Sequence, residues 1–197
     1  AEQMKDVKIS ASDKMVSFDV VSLFTKVPVA DAVEVVCKKL NCDDTLADRT
    51  ELSVTSTRQL MESCLECRYF QYQNEFYNQR EGAPMGLSLS VVLANAFMEE
   101  FEEKLVASSP LKPAIWRRYV DDTWVLWQHG EVALAEFLER MNSIHVDIKF
   151  TMETENDGSL PFLDVLVTRN DSEGLDTEVY RKAIASNAYI PASSNHT

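Results

Sequence analysis

The sequence predicts an α+β domain in which a β-α-β-β-α-β order of elements places helices on one face of an antiparallel or mixed sheet. Three observations support this prediction. Apolar β-formers alternate around Asp19, a second run of β-branched and aromatic residues surrounds Asp121-Asp122, and apolar residues recur at helical spacing elsewhere. Many non-enzymes share this order of strands and helices, so the fold class alone identifies no function.

The composition is that of a globular protein of 197 residues, 45% hydrophobic and 26% charged. The length corresponds to one domain or a little more, which is large enough to bury a hydrophobic core. No apolar run approaches the roughly 18 residues of a membrane helix, so we expect no membrane partner. The N-terminus lacks a signal-peptide pattern, which predicts an intracellular protein. Cys64 and Cys67 have the spacing of a zinc pair without a second pair, and we interpret them as core.

The first strand is predicted over about residues 14–21. Its apolar residues alternate on one face: Val16, Phe18 and Val20. Asp19 lies on the other face together with Ser17. A strand this rich in Val and Phe belongs in the centre of a sheet, where a lone carboxylate needs a partner.

Asp121 and Asp122 are predicted at a hairpin tip, because neighbouring residues of a regular strand would point to opposite faces. Two adjacent carboxylates repel, and a divalent cation would compensate them; the alternative is a solvated Asp-Asp turn. If the strand of Asp19 lies beside this hairpin, three carboxylates converge. Phosphoryl-transfer enzymes use such carboxylates to hold two cations about 3.5–4 Å apart.

Two helices are expected between the strand and the middle of the chain. Pro28 suits the first turn of one helix, and a polar loop over about 41–51 separates it from a second helix capped by Thr55 or Ser56. The apolar stripe of the first helix consists of Val29, Val33, Val36 and Leu40.

Residues 68–73 and 76–80 flank Asn74-Glu75 and predict a second hairpin rich in aromatic residues. Its Tyr, Phe, Gln and Arg side chains have two interpretations. They could stack on and hydrogen-bond a nucleotide strand, or they could form ordinary cross-strand pairs.

The segment Gly82-Ala83-Pro84-Met85-Gly86 leads from that hairpin into a helix capped by Ser88 or Ser90. A loop that feeds a helix N-terminus is suited to phosphate or base contact. One face of this helix is expected to be apolar: Val91, Ala94, Met98, Phe101 and Leu105.

After the Asp121-Asp122 hairpin, a further amphipathic helix is predicted from Val132, Leu134, Phe137, Leu138 and Met141. Residues 148–153 and 162–167 then read as strands on either side of an Asn156-Asp157-Gly158 turn. Asp164 is expected on the second of these strands in a structural role.

In their order, these segments resemble the reverse transcriptase domain, most closely that of Penelope-like retroelements. Residues 17–28 resemble the first palm motif, 82–86 with 93–95 the second, and Tyr119-Val120-Asp121-Asp122 the third. The resemblance continues through 148–153, 160–165, 179–182 and 194–196. A single motif of this kind is weakly specific, whereas the ordered set is strong.

The resemblance implies a polymerase palm and an RNA-directed DNA polymerase, a nucleotidyltransferase of a transposable element. Asp19, Asp121 and Asp122 would be catalytic and would hold two Mg²⁺ ions, with Mn²⁺ as a substitute, and the carbonyl of Val20 would add a ligand. The partners implied are an RNA template, a DNA primer and dNTP. Action on chromosomal DNA would place the protein in the nucleus.

Further site residues also follow from the resemblance. Phe24 would pack under the incoming sugar, and Pro84, Met85 and Gly86 would lie along the template and nascent pair. The resemblance also implies that Lys149 neutralises the leaving pyrophosphate; an ordinary core Phe and a surface lysine are the alternatives. Gln79 and Arg80 are added as template contacts from the chemistry of their side chains in the aromatic hairpin.

The expected organisation is a lead-in over 1–13, a palm over 14–150 with a partial fingers insertion at about 41–80, and a closing hairpin over 151–197 that leads toward a thumb. Fingers and thumb are expected to be cut short. The net charge of −13 argues against a basic grip on nucleic acid within this segment. A catalytically inactive remnant that binds nucleic acid or a protein, and a domain whose carboxylates hold a structural metal, remain as alternatives.

Overall fold

The computed structural model describes residues 7–66 and 68–182, which fall into two compact units. One unit spans Ser12–Thr154, and the other combines the described parts of Ala1–Ala11 and Glu155–Thr197. The mixture of helices and sheets confirms the predicted α+β class. The predicted boundaries near 13 and 150 stay predictions. No helix within the described ranges is both long and apolar enough to cross a membrane.

The larger unit contains twelve elements among its described residues. They are β1 (Lys14–Val20), α1 (Leu23–Lys26), α2 (Val29–Asn41), α3 (Leu46–Arg49), α4 (Val54–Glu66), β2 (Tyr69–Tyr72), β3 (Glu75–Asn78), α5 (Ser88–Ser108), β4 (Ile115–Tyr119), β5 (Asp122–Trp127), α6 (Gly130–Ile144) and β6 (Phe150–Thr154).

Four strands form an antiparallel sheet in the order β4-β5-β1-β6, with β1 between two neighbours. Val16, Phe18 and Val20 are buried on one face of β1, as predicted. They belong to the hydrophobic core together with buried residues of α5 and α6, such as Phe101 and Phe137. The rings of Phe18 and Phe137 lie 6.2 Å apart. The helices therefore cover one face of the sheet.

Two helix starts differ from the sequence prediction. Helix α4 begins at Val54, and the hydroxyl of Ser53 accepts the N–H of Ser56, so Ser53 takes the capping role expected of Thr55 or Ser56. Helix α5 begins at Ser88 with Leu87 as its N-cap and no side-chain cap. Its Ser90 hydroxyl instead donates to the carbonyl of Pro84.

Two residues predicted on apolar helix faces are exposed. Val91 on α5 and Val132 on α6 lie outside the core, whereas the other predicted apolar residues of these helices are buried or half-buried. Periodicity places a residue on a face, but the edge of that face is set by how far the neighbouring element reaches. Cys64 is also exposed rather than buried in the core, and Cys67 lies outside the described residues.

The second predicted hairpin is present as β2 and β3, paired with each other. Its turn is Gln73-Asn74, with φ of 49° and 63°, and Glu75 belongs to β3 instead of the turn. Asn tolerates this left-handed conformation because its side chain can hydrogen-bond locally. The turn therefore lies one residue earlier than predicted.

The smaller unit contains an antiparallel sheet of β7 (Ser159–Phe162), β8 (Val165–Arg169) and β9 (Leu175–Val179). The turn predicted at Asn156-Asp157-Gly158 is present, with positive φ at both Asp157 and Gly158. The expected strand over 162–167 is interrupted at Leu163-Asp164, where Leu163 has a φ of 56°. Asp164 thus lies in a turn, and its carbonyl accepts the N–H of Tyr180.

Pairing around the Asp157-Gly158 turn also differs from the expected hairpin. Strand β6, which precedes the turn, pairs with β1 in the larger unit. In the smaller unit, the guanidinium of Arg169 forms a bidentate ion pair with the buried carboxylate of Glu155, and both N–O distances are 2.6 Å. This pair holds Glu155 against β8.

Candidate active site

The tip of the β4–β5 hairpin lies beside the end of β1. The N–H of Val20 donates to the carbonyl of Asp121 over 3.2 Å, and Asp19 is directly opposite Asp122 in the β1–β5 register. Residues directly opposite in an antiparallel pair share a face, so Asp19 and Asp122 lie on the same side of the sheet. The sequence left this neighbourhood as a condition, and the β1–β5 pairing meets it.

The turn at this tip is strained. Val120 has a φ of 57°, a left-handed conformation that is unfavourable for a β-branched residue. The strain positions Asp121 at the corner, one residue before β5 begins at Asp122. Strained backbone of this kind is concentrated at functional sites, where the surrounding structure maintains it.

The carboxylates at the strand end interact electrostatically. The pKa of Asp19 is raised above its ordinary value, first by partial burial and then by the negative charge of Asp121. Within the described ranges, no group of three His, Cys, Asp or Glu side chains is already arranged to hold a metal. The structure therefore brings Asp19 and Asp121 together and aligns Asp122 with them, without a preformed three-carboxylate cage.

The donor chemistry of these residues fits a hard divalent cation. Carboxylate oxygens are the preferred ligands of Mg²⁺ and Mn²⁺, and a cation would remove the repulsion that raises the Asp19 pKa. The Val20 carbonyl belongs to the same strand end. Asp19, Asp121, Asp122 and Val20 are thus the residues that would hold such an ion.

Phe24 lies on the short helix α1, four residues beyond the end of β1. Its side chain is half-buried and packs against the hydrophobic core. Its carbonyl accepts the N–H of Ala83 over 2.7 Å. A Cβ added to Gly82 would lie 2.4 Å from the Phe24 carbonyl oxygen and 2.5 Å from the Thr25 carbonyl carbon. The turn that carries Phe24 and the glycine loop therefore fit together backbone to backbone.

The loop between β3 and α5 carries the remaining predicted contact residues. Pro84 is half-buried, whereas Met85 is 74% exposed and Gly86, at a φ of 92°, is also exposed. The amide of Gln79 donates to the carbonyls of Glu81 and Ala83, so it holds the loop together. Met85 and Gly86 are accordingly the predicted residues of this loop that are open to a ligand.

Arg80 is exposed, with no hydrogen bond or ion pair to any of the described residues. It lines a cavity of about 660 Å³ together with Lys26, Pro28, Arg68 and Glu81. The lining of this cavity does not include Asp19 or Asp121. The cavity and the carboxylates are therefore separate features.

Lys149 binds protein carbonyls in the structure. Its ammonium group donates to the carbonyl of Asn142 over 2.6 Å and to that of His145 over 3.2 Å, at the C-terminal end of α6. A cation at this end of a helix is favoured by the helix dipole. The predicted contact with pyrophosphate stays a prediction.

Arg118, which was not among the residues predicted for the site, connects the hairpin tip to α5. Its guanidinium donates to the Val120 carbonyl over 3.2 Å, to the Asn95 side chain over 2.8 Å and to the Glu102 carboxylate over 2.6 Å. The side chain is only 10% exposed. A signal was available: Arg118 alternates with Trp116 on the core-facing side of β4, where a charged residue requires partners.

Some predicted features lie outside the described residues, namely residues 1–6 of the lead-in, Cys67, and the last segment of resemblance at 194–196. All catalytic and metal-binding candidates lie inside the described ranges.

The family model described as reverse transcriptase (RNA-dependent DNA polymerase) matches residues 2–155 of the chain. No curated protein matches its sequence. Apo telomerase from Candida tropicalis is similar in structure, with a TM-score of 0.65 and 12% identity over 88% of this chain and 33% of that one. Telomerase from Candida albicans, in complex with a TWJ fragment of telomeric RNA, gives a TM-score of 0.63 and 11% identity over 88% and 32%.

The BmCPV RNA-dependent RNA polymerase at its elongation state is also similar, with a TM-score of 0.54 and 13% identity over 81% of this chain and 16% of that one. At such low identity the likeness is one of fold. The chain spans about a third of the length of the telomerases that it matches.

Proposed function

Since the chain belongs to the reverse transcriptase family, we propose that it is the catalytic palm of an RNA-directed DNA polymerase from a retroelement of the Penelope-like type. The subtype rests on the ordered motifs of the sequence, above all Tyr119-Val120-Asp121-Asp122. Along the chain, the elements of the larger unit follow a β-α-β-β-α-β pattern that is interrupted by the β2–β3 hairpin. The four strands of this pattern form one sheet in the order β4-β5-β1-β6, which supports the assignment to a palm.

The observation that carries the proposal is the contact between β1 and the hairpin tip. It places Asp121 where its charge raises the pKa of Asp19 and sets Asp122 across from Asp19. These three carboxylates and the Val20 carbonyl would hold two Mg²⁺ ions, or Mn²⁺ in their place. When bound, such ions supply Lewis-acid activation of a primer 3′-hydroxyl and charge neutralisation on the triphosphate.

The residues around the carboxylates would position the substrates. Phe24 would support the sugar of the incoming dNTP, while the exposed Met85 and Gly86 would lie against the RNA template paired with the DNA primer. Arg118 would keep the hairpin tip in its strained conformation through the Val120 carbonyl. Preorganisation of this kind lowers the cost of holding reacting groups in place. A role on chromosomal DNA would place the protein in the nucleus.

Primer extension tests the proposal. The full-length product of the gene that encodes this chain would be assayed on an RNA template with a DNA primer and dNTPs, with Mg²⁺ or Mn²⁺. Asp121→Asn should reduce extension by at least about a hundredfold, because metal assistance is worth several kcal/mol. Asp48→Asn, an exposed substitution on α3, is the matched control and should extend like the parent.

Extension that survives Asp121→Asn would contradict the assigned chemistry. A folded parent protein that extends no primer would favour the second candidate, an inactive remnant that acts by binding. The acidic net charge of −13 is the observation that keeps this second candidate open.

A further inference from the structure

The β2–β3 hairpin is a ribbon of exposed aromatic side chains. All eight of its strand residues are exposed, and five of them are aromatic: Tyr69, Phe70, Tyr72, Phe76 and Tyr77. Tyr69 and Phe76 are 70% and 72% exposed. Apolar rings are ordinarily buried in a folded protein, so a cluster of exposed rings on one element indicates a binding surface.

The exposed rings are arranged in pairs on each face of the ribbon. On one face Phe70 and Tyr77 stack at 5.6 Å with an interplanar angle of 20°. On the other, Tyr69 and Phe76 meet edge to face at 6.3 Å. Because residues directly opposite share a face, Gln71 and Asn78 lie beside this second pair. That face offers two open rings and two amides, which suit stacking on bases and hydrogen bonding to their edges.

The charge of this segment differs from that of the rest of the chain. Between Arg68 and Arg80 there is one acidic residue, Glu75, so the segment carries a net positive charge in a chain of −13. Arg80 is exposed and has no hydrogen bond or ion pair with the described residues. A polyanion would therefore meet less repulsion at this hairpin than the overall charge indicates.

The hairpin is also joined to the loop of the candidate active site. The N–H of Gln79 donates to the Arg68 carbonyl at the base of the ribbon, and its side-chain amide donates to the carbonyl of Ala83. The N–H of Ala83 in turn donates to the Phe24 carbonyl. A continuous set of hydrogen bonds thus runs from the ribbon to the turn that follows β1.

We propose that the face formed by Tyr69, Gln71, Phe76 and Asn78 is a stacking platform for a single-stranded RNA segment. The inference rests on the proposed function, because it assigns to this surface the unpaired part of the template. Stacking on these rings would be tolerant of base sequence, since every base has an aromatic face.

The test is the affinity for a fluorescein-labelled 12-nucleotide oligouridylate, measured by fluorescence anisotropy without nucleotide or metal. The double variant Tyr69→Ile with Phe76→Ile retains apolar, strand-favouring side chains but removes both aromatic faces. Its Kd should rise about fivefold for each ring lost, or about 25-fold in total, while Tyr69→Trp with Phe76→Trp should bind like the parent.

The matched control is Val132→Ala with Val146→Ala, at two positions that are 78% and 79% exposed elsewhere in the larger unit. It should leave the Kd unchanged. An unchanged Kd in the Ile variant would overturn the proposal. The proposal would also be overturned if the Ile variant lost self-association in sedimentation but kept its affinity for RNA. The face would then be an interface between copies of the chain.

This assay separates the two proposals. Asp121→Asn should bind the oligouridylate normally while it loses primer extension. A parent protein that binds RNA through the hairpin but extends no primer would contradict the proposed function alone. A parent that extends primers while the Ile variant binds RNA normally would contradict the platform alone.

Discussion

The described residues include two aromatic-rich hairpins, each with a two-residue turn, and the two differ in burial. In the β4–β5 hairpin, Trp124 and Trp127 are fully buried. In the β2–β3 hairpin, Tyr69 and Phe76 are largely exposed. Strand β5 has a second neighbour in β1, whereas within the part of the chain that the structure describes β2 and β3 pair only with each other. Aromatic composition therefore predicts a strand, and the elements that pack around the strand decide whether its rings stabilise the fold or remain available for binding.

The turns of the two hairpins also differ in backbone strain. Asn74 and Val120 both have positive φ, 63° and 57°. Asn tolerates this conformation at little cost, whereas Val does not. The buried hairpin thus carries the strained tip, and the surrounding contacts, including the hydrogen bond from Arg118 to the Val120 carbonyl, maintain it.

The largest expected contrast between the hairpins is in stability. Trp127→Ala should lower the free energy of unfolding by about 3–5 kcal/mol, because it leaves a cavity and removes the indole hydrogen bond to Gly130. Phe76→Ala should change it by less than about 1 kcal/mol, because that ring is already in water. Urea denaturation of both variants measures the difference.

Trp127→Phe is the control for the buried position and should recover much of the loss, since it keeps an aromatic ring near Phe137. Equal destabilisation by Trp127→Ala and Phe76→Ala would show that the exposed hairpin is packed in solution. That result would remove the basis of the comparison.

A smaller contrast is expected in the loop that links the exposed hairpin to the core. Gly82→Ala places a Cβ against the Phe24 and Thr25 backbone, whereas a Cβ on Gly86 meets no atom within 4 Å. Both glycines have positive φ, so both substitutions cost about 1–2 kcal/mol in conformation. Overpacking should add about 1–3 kcal/mol for Gly82→Ala alone.

Thermal or urea unfolding of the two alanine variants gives this difference directly. Equal losses at the two positions would mean that the loop does not dock on the Phe24 turn in solution. In the assay of primer extension, Gly82→Ala should also reduce the rate, because the displaced loop carries Met85.

The smallest expected effect concerns Asp19, the carboxylate of β1 that lies beside the tip of the β4–β5 hairpin. The folded-state pKa of Asp19 is raised, so the protonated form is the one that the fold favours. The contribution of Asp19 to the free energy of unfolding is therefore fully present below the ordinary pKa of 3.8, and it is lost as the pH rises through the folded-state pKa. At neutral pH, Asp19→Asn should therefore stabilise the fold, by less than about 1 kcal/mol for so exposed a group.

Urea denaturation between pH 4 and 7 checks this sign, and the advantage of Asp19→Asn should shrink as the pH falls. Added Mg²⁺ should raise the Tm of the parent more than that of the variant, because a bound ion stabilises the folded state. A variant that is less stable than the parent at neutral pH would show that Asp19 has a favourable partner and not a repulsive one.

Much of the site could be predicted from the sequence because its pattern is local. Alternation around Asp19 gave the faces of β1 correctly, and the aromatic runs beside Asp121 gave a hairpin. The cost of burying a lone carboxylate predicted that Asp19 has a partner, and the β1–β5 pairing identifies the strand that lies beside it. These inferences depend on two things: the two-residue alternation of side chains along a strand, and the free-energy cost of burying a charge.

The rest depended on tertiary contacts that no local pattern contains. Val91 and Val132 are exposed because the neighbouring elements end before they reach these residues. The hydrogen bonds from Lys149 to the carbonyls of Asn142 and His145 depend on the path of the chain after α6. The turn at Leu163 breaks an apolar run with a residue that ordinarily avoids positive φ. The alternation with Trp116 marks Arg118 as core-facing, but the local pattern does not identify its three partners, which lie on the hairpin tip and on α5.

The close approach at Gly82 limits how this region can vary among descendants of the sequence. The atoms that a Cβ at position 82 would strike belong to the backbone of Phe24 and Thr25, not to their side chains. No exchange of amino acid at positions 24 or 25 can therefore make room for a larger residue at 82. The side chain at position 24 can change without affecting this contact, whereas the glycine can change only if the main chain moves.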